Sequence, residues 1–74
     1  MDKKILLKKF GLNVKFERMK KEYTQEFLAE KVGVHRNYIS KIENGEINMS
    51  LGKILELSKA LDLDVKILLE FLKY

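Results

Sequence analysis

The chain has no cysteine and no proline, and only four of its 74 residues are glycine. Without cysteine there is no disulfide, no thiolate metal site and no thiol chemistry, which fits a reducing interior. Without proline, nothing covalent forces a helix to stop or kink. No apolar run approaches the length of about 18 residues that a membrane-spanning helix needs. The "ILL" near the start is too short for a signal-peptide core. The single histidine, His35, has no partner at metal-ligand spacing. There is no Ser–His–acid arrangement and no glycine-rich phosphate loop, and Asp62 and Asp64 flank a helix start, where they read as caps rather than as a catalytic pair. These gaps point away from an enzyme, a metalloprotein or a cofactor carrier.

What remains is a short chain with enough apolar residues, 46%, to build a small core. One domain covering residues 1–74 is the expected organisation, with no linker or repeat. The charge is uneven. Residues 1–23 hold eight Lys or Arg against three Asp or Glu, whereas residues 24–74 hold seven against eight. The first third therefore carries the positive field. Such a field suits a polyanion such as nucleic acid; the plainer alternative is a solvated lysine-rich helix face.

The pattern reads as helix throughout. Period-two alternation is confined to "LNVKF" and "LDLDV", and neither is bounded like a strand. Five helices are expected. The first spans about 3–22, with Leu6, Leu7, Phe10 and Val14 on one side and a break or bend possible at Gly11. Thr24 caps a second over 25–32, with Phe27, Leu28 and Val32 inward, and Gly33 ends it in the left-handed conformation. The third runs from 36 to about 44 and stops at Gly45. Ser50 caps the fourth, with a stripe of Leu51, Ile54, Leu55, Ser58 and Leu61. Asp64 caps the fifth, from 65 to about 73.

The second and third helices carry the functional signal. Two short helices joined by a three- or four-residue turn with glycine have the sequence form of a helix-turn-helix, here about 24–45. Ala29 is small enough for close approach, Val34 plugs the corner and Ile39 anchors the third helix to the second. The remaining face holds Arg36, Asn37, Ser40 and Lys41, with Tyr38 alongside. All of these side chains can hydrogen-bond and none is acidic, which suits the major groove of double-stranded DNA. For Asn37 and Asn44 the plainer alternative is tolerant polar surface, and for Tyr38 it is half-buried packing.

From about Phe10 to Phe71 the chain resembles the Cro/C1-repressor, or XRE, family of helix-turn-helix proteins. The resemblance rests on "TQEFLAEKVGV", "NYISKIENG" and "SLGKILELSKALDLDVKILL", which keep the order and spacing of the family's second to fifth helices. It implies an all-α, compact five-helix, lambda-repressor-like fold. It also implies roles by position. Gln25 would hold a phosphate and brace the recognition helix. Arg36, Asn37 and Lys41 would read base edges, with Tyr38 and Ser40 beside them. Asn44 and Asn48 would lie at backbone phosphates. Arg18 and Glu43 would form a partly buried structural ion pair. Two positions depart from the family pattern: His35 stands where the third helix is usually capped by Ser, Thr or Asp, and Glu17 stands where Leu is common, with Phe16 and Met19 expected to take up the packing.

The last helix carries two apolar stripes: Val65, Leu68, Leu69 and Leu72, and Ile67, Phe71 and Tyr74. One small domain cannot cover both, so residues 64–74 are expected to be a dimerisation helix, with Ile67, Leu68, Phe71 and Tyr74 at a two-fold interface. The alternative is that the first helix, through Leu6, Leu7 and Phe10, folds over this surface. The combined expectation is a cytoplasmic, nucleoid-associated homodimer that binds a palindromic operator. The segment "HRNYISKIENGEINMSL" is similar to restriction–modification controller proteins within the family. A Cro-like phage repressor, an antitoxin that also binds a toxin protein, and a helical module that never touches DNA are the other readings.

Overall fold

The computed structural model describes residues 1–72, so Tyr74 and the end of the expected fifth helix lie outside the described residues. Five α-helices and a closing 3₁₀ turn follow one another among the described residues: α1 Lys3–Lys20, α2 Gln25–Val32, α3 Arg36–Glu43, α4 Leu51–Ala60, α5 Val65–Leu68 and the turn Glu70–Leu72. The fold is all-α.

Each helix starts on a side-chain cap. Asp2 Oδ1 accepts from the Ile5 amide at 2.8 Å, Thr24 Oγ1 from Phe27 at 2.9 Å, Ser50 Oγ from Lys53 at 3.2 Å and Asp64 Oδ1 from Lys66 at 3.0 Å. These bonds satisfy amides that have no partner within the helix. Gly33 ends α2 with φ +86°, and the Gly33 and Val34 amides both donate to the Ala29 carbonyl, so the chain turns within the three residues between α2 and α3.

The core lies between α1, α2, α3 and α4, with α5 closing one end. Val14, Leu28, Ile39, Ile42, Leu57, Leu61 and Leu68 are fully or almost fully buried. Burying each such side chain favours the folded state by about 1.5–3 kcal/mol over leaving it exposed. Ile39 and Ile42 are the inward residues of α3, so its orientation follows from the same packing that holds the domain together.

The structure corrects several expectations. α1 is continuous through Gly11, which is buried against the C-terminal end of α3. A Cβ there would lie 2.3 Å from the Ile42 carbonyl oxygen. The glycine permits helix contact; it does not break the helix. Phe16 and Met19 do not fill the space beside Arg18: they are 59% and 56% exposed, and Glu17 is buried instead, paired with Lys20 Nζ at 3.2 Å. On α2, Phe27 turns outward and meets Tyr23 edge-on at 4.7 Å. The inward stripe of α4 is Leu57, Ser58 and Leu61 with Ile54, while Leu51 and Leu55 face solvent. A helix this rich in leucine offers two apolar arcs, and packing onto α2 selects one.

The fifth helix is one turn long. Asn13 of α1 explains where it ends: its Nδ2 donates to the carbonyls of Ile67 and Leu68 at 3.0 and 2.8 Å, so those acceptors are met from outside the helix. The chain then tightens into the 3₁₀ turn. Leu68 is fully buried within the single chain, so it is a core residue and is unavailable to a partner. Ile67 is half-buried, as is Phe71, whose ring lies 6.1 Å from that of Phe10.

Candidate nucleic-acid interface

The site is built around one carboxylate. Glu43, the last residue of α3, is buried, and three side-chain donors converge on it. Arg18 of α1 grips it as a fork, with Nε to Oε2 at 2.7 Å and Nη2 to Oε1 at 3.1 Å, while Arg18 Nη1 donates to the Tyr23 carbonyl at 2.7 Å. Gln25, the first residue of α2, donates from Nε2 to Oε1 at 3.0 Å. Paired, charge-assisted bonds of this kind fix orientation as well as position. α1 and α2 thus both hold the end of α3 through the same group. Every buried side-chain nitrogen and oxygen among the described residues has a partner.

With Ile39, Ile42 and Glu43 turned inward, the outward face of α3 has no acidic side chain. Arg36, Asn37 and Lys41 are exposed there, and Ser40 is half-buried. Tyr38 is half-buried and packs against the core, so its ring serves packing while its face remains partly accessible. Asn44, the C-cap of α3, and Asn48 in the following loop are both exposed. Arg36 Nη1 lies 3.9 Å from Glu26 Oε2 across the α2–α3 angle, with both side chains more than half exposed. So open an ion pair contributes little and leaves the guanidinium free to swing to a stronger partner.

His35 has a role that its identity hid. Its backbone is extended and its Nδ1 accepts from the Asn37 amide at 3.0 Å, so histidine caps α3 in place of a hydroxyl or carboxylate. An imidazole that accepts at Nδ1 carries its proton on Nε2, which makes that nitrogen a donor at the mouth of the helix. Gly45 stops α3 with φ +77°, and a Cβ there would come within 3.0 Å of the Lys8 backbone; the turn therefore needs glycine for space as well as for conformation.

An α-helix with its side chains is about 10–12 Å across, which a major groove about 12 Å wide admits. Together α2, its glycine turn and α3 define a helix-turn-helix protein, built to present one helix to a partner. The chain belongs to the helix-turn-helix family, whose model matches residues 14–68. It is 46% identical over 63 residues to the control protein C.BamHI of Bacillus amyloliquefaciens, covering 84% of this chain and 78% of that one. It is 42% identical over 57 residues to the control protein C.SmaI of Serratia marcescens, covering 77% and 68%. Among solved structures, the restriction-modification controller protein C.AhdI from Aeromonas hydrophila superposes with a TM-score of 0.87 at 38% identity, over 92% of this chain and 99% of that one.

Proposed function

We propose that the protein is a sequence-specific DNA-binding transcriptional regulator of the restriction–modification controller kind. One observation carries the reading: with Ile39, Ile42 and Glu43 buried, α3 leaves Arg36, Asn37 and Lys41 exposed and its one acidic side chain turned inward. Arg36, Asn37 and Lys41 read base edges, with Tyr38 and Ser40 beside them. Gln25, Asn44 and Asn48 hold the phosphate backbone; Gln25 keeps its carbonyl oxygen and one amide hydrogen beyond the bond to Glu43. The relatives matched are control proteins, so the antitoxin reading and its toxin partner are set aside. The protein acts by binding, without catalysis or cofactor, in the cytoplasm. No helix among the described residues is long and apolar enough to cross a membrane.

A two-fold dimer completes this reading. Leu6, Leu7, Leu51, Ile54, Leu69 and Phe71 line an apolar groove between the start of α1, the start of α4 and the 3₁₀ turn. Leu51, at 80% exposed, stands at its edge. Covering that groove with a second copy would present two α3 helices to half-sites one DNA turn apart. Sedimentation that shows a strict monomer at tens of micromolar would remove the dimer.

The test of DNA reading is selection of bound sequences from a random duplex pool, followed by affinity measurement at several salt concentrations. Arg36→Ala is expected to lose about 1–3 kcal/mol at particular base pairs. Binding with no sequence preference and no salt dependence would refute the regulator.

A further inference from the structure

We infer that the outward face of α1 is a second docking surface, for an acidic amphipathic helix of another protein. α1 is apolar on two opposite sides. One side enters the core through Phe10 and Val14. The other carries Ile5, Leu12, Phe16 and Met19, which are 47%, 63%, 59% and 56% exposed. At about 100° per residue these four fall within an arc of about 60°, along about 21 Å of helix. Single apolar side chains on a surface are ordinary, but four in line on one helix form a ridge. The spacing of Leu12, Phe16 and Met19 is that by which one helix seats in the groove of another.

The flanks specify the occupant. Lys4, Lys8 and Lys15 run along one side of the ridge and Lys9 and Lys20 along the other, all exposed. Lys20 Nζ lies 5.0 Å above the Phe16 ring. The only acidic residue within α1, Glu17, lies on the buried side against Lys20. An apolar ridge between two cationic rows is complementary to an apolar stripe between acidic rows. A second copy meeting the same face would oppose lysine to lysine, which is unfavourable. DNA would satisfy the lysines but leave the four apolar side chains against hydrated phosphate. A lipid surface calls for a broad apolar face, whereas this ridge is one residue wide and its helix is fixed in the core. Lys8 and Leu12 border a depression beside Asn44 at one edge, while Phe16 and Met19 lie clear of it, and the inference stands whether or not α3 reads DNA.

The probe is a three-heptad peptide with leucine at a and d and glutamate at the flanking e and g positions, whose like charges oppose self-pairing. Titrated into the isotope-labelled protein, it is expected to bind saturably and to shift the resonances of Leu12, Phe16 and Met19. Affinity is expected to fall about tenfold or more for a lysine-flanked peptide, in high salt, and for the Phe16→Ser/Met19→Ser variant. The thermal midpoint of that variant should stay near that of the parent, because both side chains are exposed. Its DNA affinity, measured in parallel, should be unchanged, which separates failure here from failure of the DNA reading. Equal binding of the two peptides, shifts centred elsewhere, or binding that survives the double substitution would overturn the inference. So would binding to phosphatidylglycerol vesicles, or self-association, that the same substitutions abolish.

Discussion

Replacing Gly11 by alanine sets helix propensity against tertiary contact, and the structure supplies the size of each. Alanine is favoured over glycine in a helix interior by about 1 kcal/mol. Its Cβ, however, would lie 2.3 Å from the Ile42 carbonyl oxygen, 2.6 Å from that of Glu43 and 2.8 Å from the Glu43 carbonyl carbon. All three atoms are backbone, so no side chain can swing away and the end of α3 must retreat. Retreat pulls on the Arg18–Glu43 fork and on Ile42, which is 1% exposed. Overpacking of this kind typically costs about 1–3 kcal/mol, and a clash with immovable atoms belongs at the upper end. Net destabilisation of about 2 kcal/mol is expected, which lowers the thermal midpoint by about 10–15 °C for a domain of this size. Gly52→Ala is the control. Gly52 is also helical, but a Cβ there meets nothing within 4 Å, so the same substitution should raise stability by about 0.5 kcal/mol. Thermal unfolding followed by circular dichroism reads both. A Gly11→Ala protein that melts at or above the parent would show that α1 and α3 are not in the contact described.

Three further outcomes follow from the same geometry. Arg18→Leu leaves the Glu43 carboxylate buried without its fork and should cost about 3–5 kcal/mol in urea unfolding, most of it recovered when Glu43→Leu is added. Asn13→Leu removes both hydrogen bonds to the Ile67 and Leu68 carbonyls and should cost about 2 kcal/mol in urea unfolding. His35→Ala should cost about 1 kcal/mol by thermal melting, while His35→Ser keeps a capping acceptor and stays near the parent; equal losses would place the imidazole's contribution elsewhere.

Helix starts were legible because their signals are local. Thr24, Ser50 and Asp64 each offer an oxygen one residue before the helix, and nothing distant overrides that. The glycine turns at Gly33 and Gly45 were legible for the same reason. What eluded the sequence depends on neighbours brought in by the fold. Propensity marks Gly11 as a weak point; only the approach of α3 makes it a contact. Apolar periodicity extends the fifth helix beyond Leu68, but Asn13, more than fifty positions earlier, takes the carbonyls near its end. Leu51 and Leu55 are as apolar as Leu57, and only the position of α2 decides which arc of α4 is inside. The outward face of α3 was read from composition. Capping by His35 was not, because histidine is an uncommon cap and its suitability rests on which ring nitrogen faces the amide.

Glu43 shows why the face of α3 could be read at all. A carboxylate at the end of a DNA-reading helix would repel phosphate if it pointed outward, and would be costly to bury alone. Pairing with Arg18 answers both objections, yet it need not add net stability, since buried ion pairs are often replaceable by apolar residues without loss. Its distinctive property is directional. The guanidinium fork from α1 and the amide from α2 meet one carboxylate on α3, which fixes the rotation of α3 about its own axis. A slip of one residue turns an α-helix by about 100° and would carry Asn37 and Lys41, about 40° apart around α3, away from the side they now face. Apolar contacts through Ile39 and Ile42 set the depth of α3; the Glu43 junction sets its angle, and the angle decides which side chains face outward.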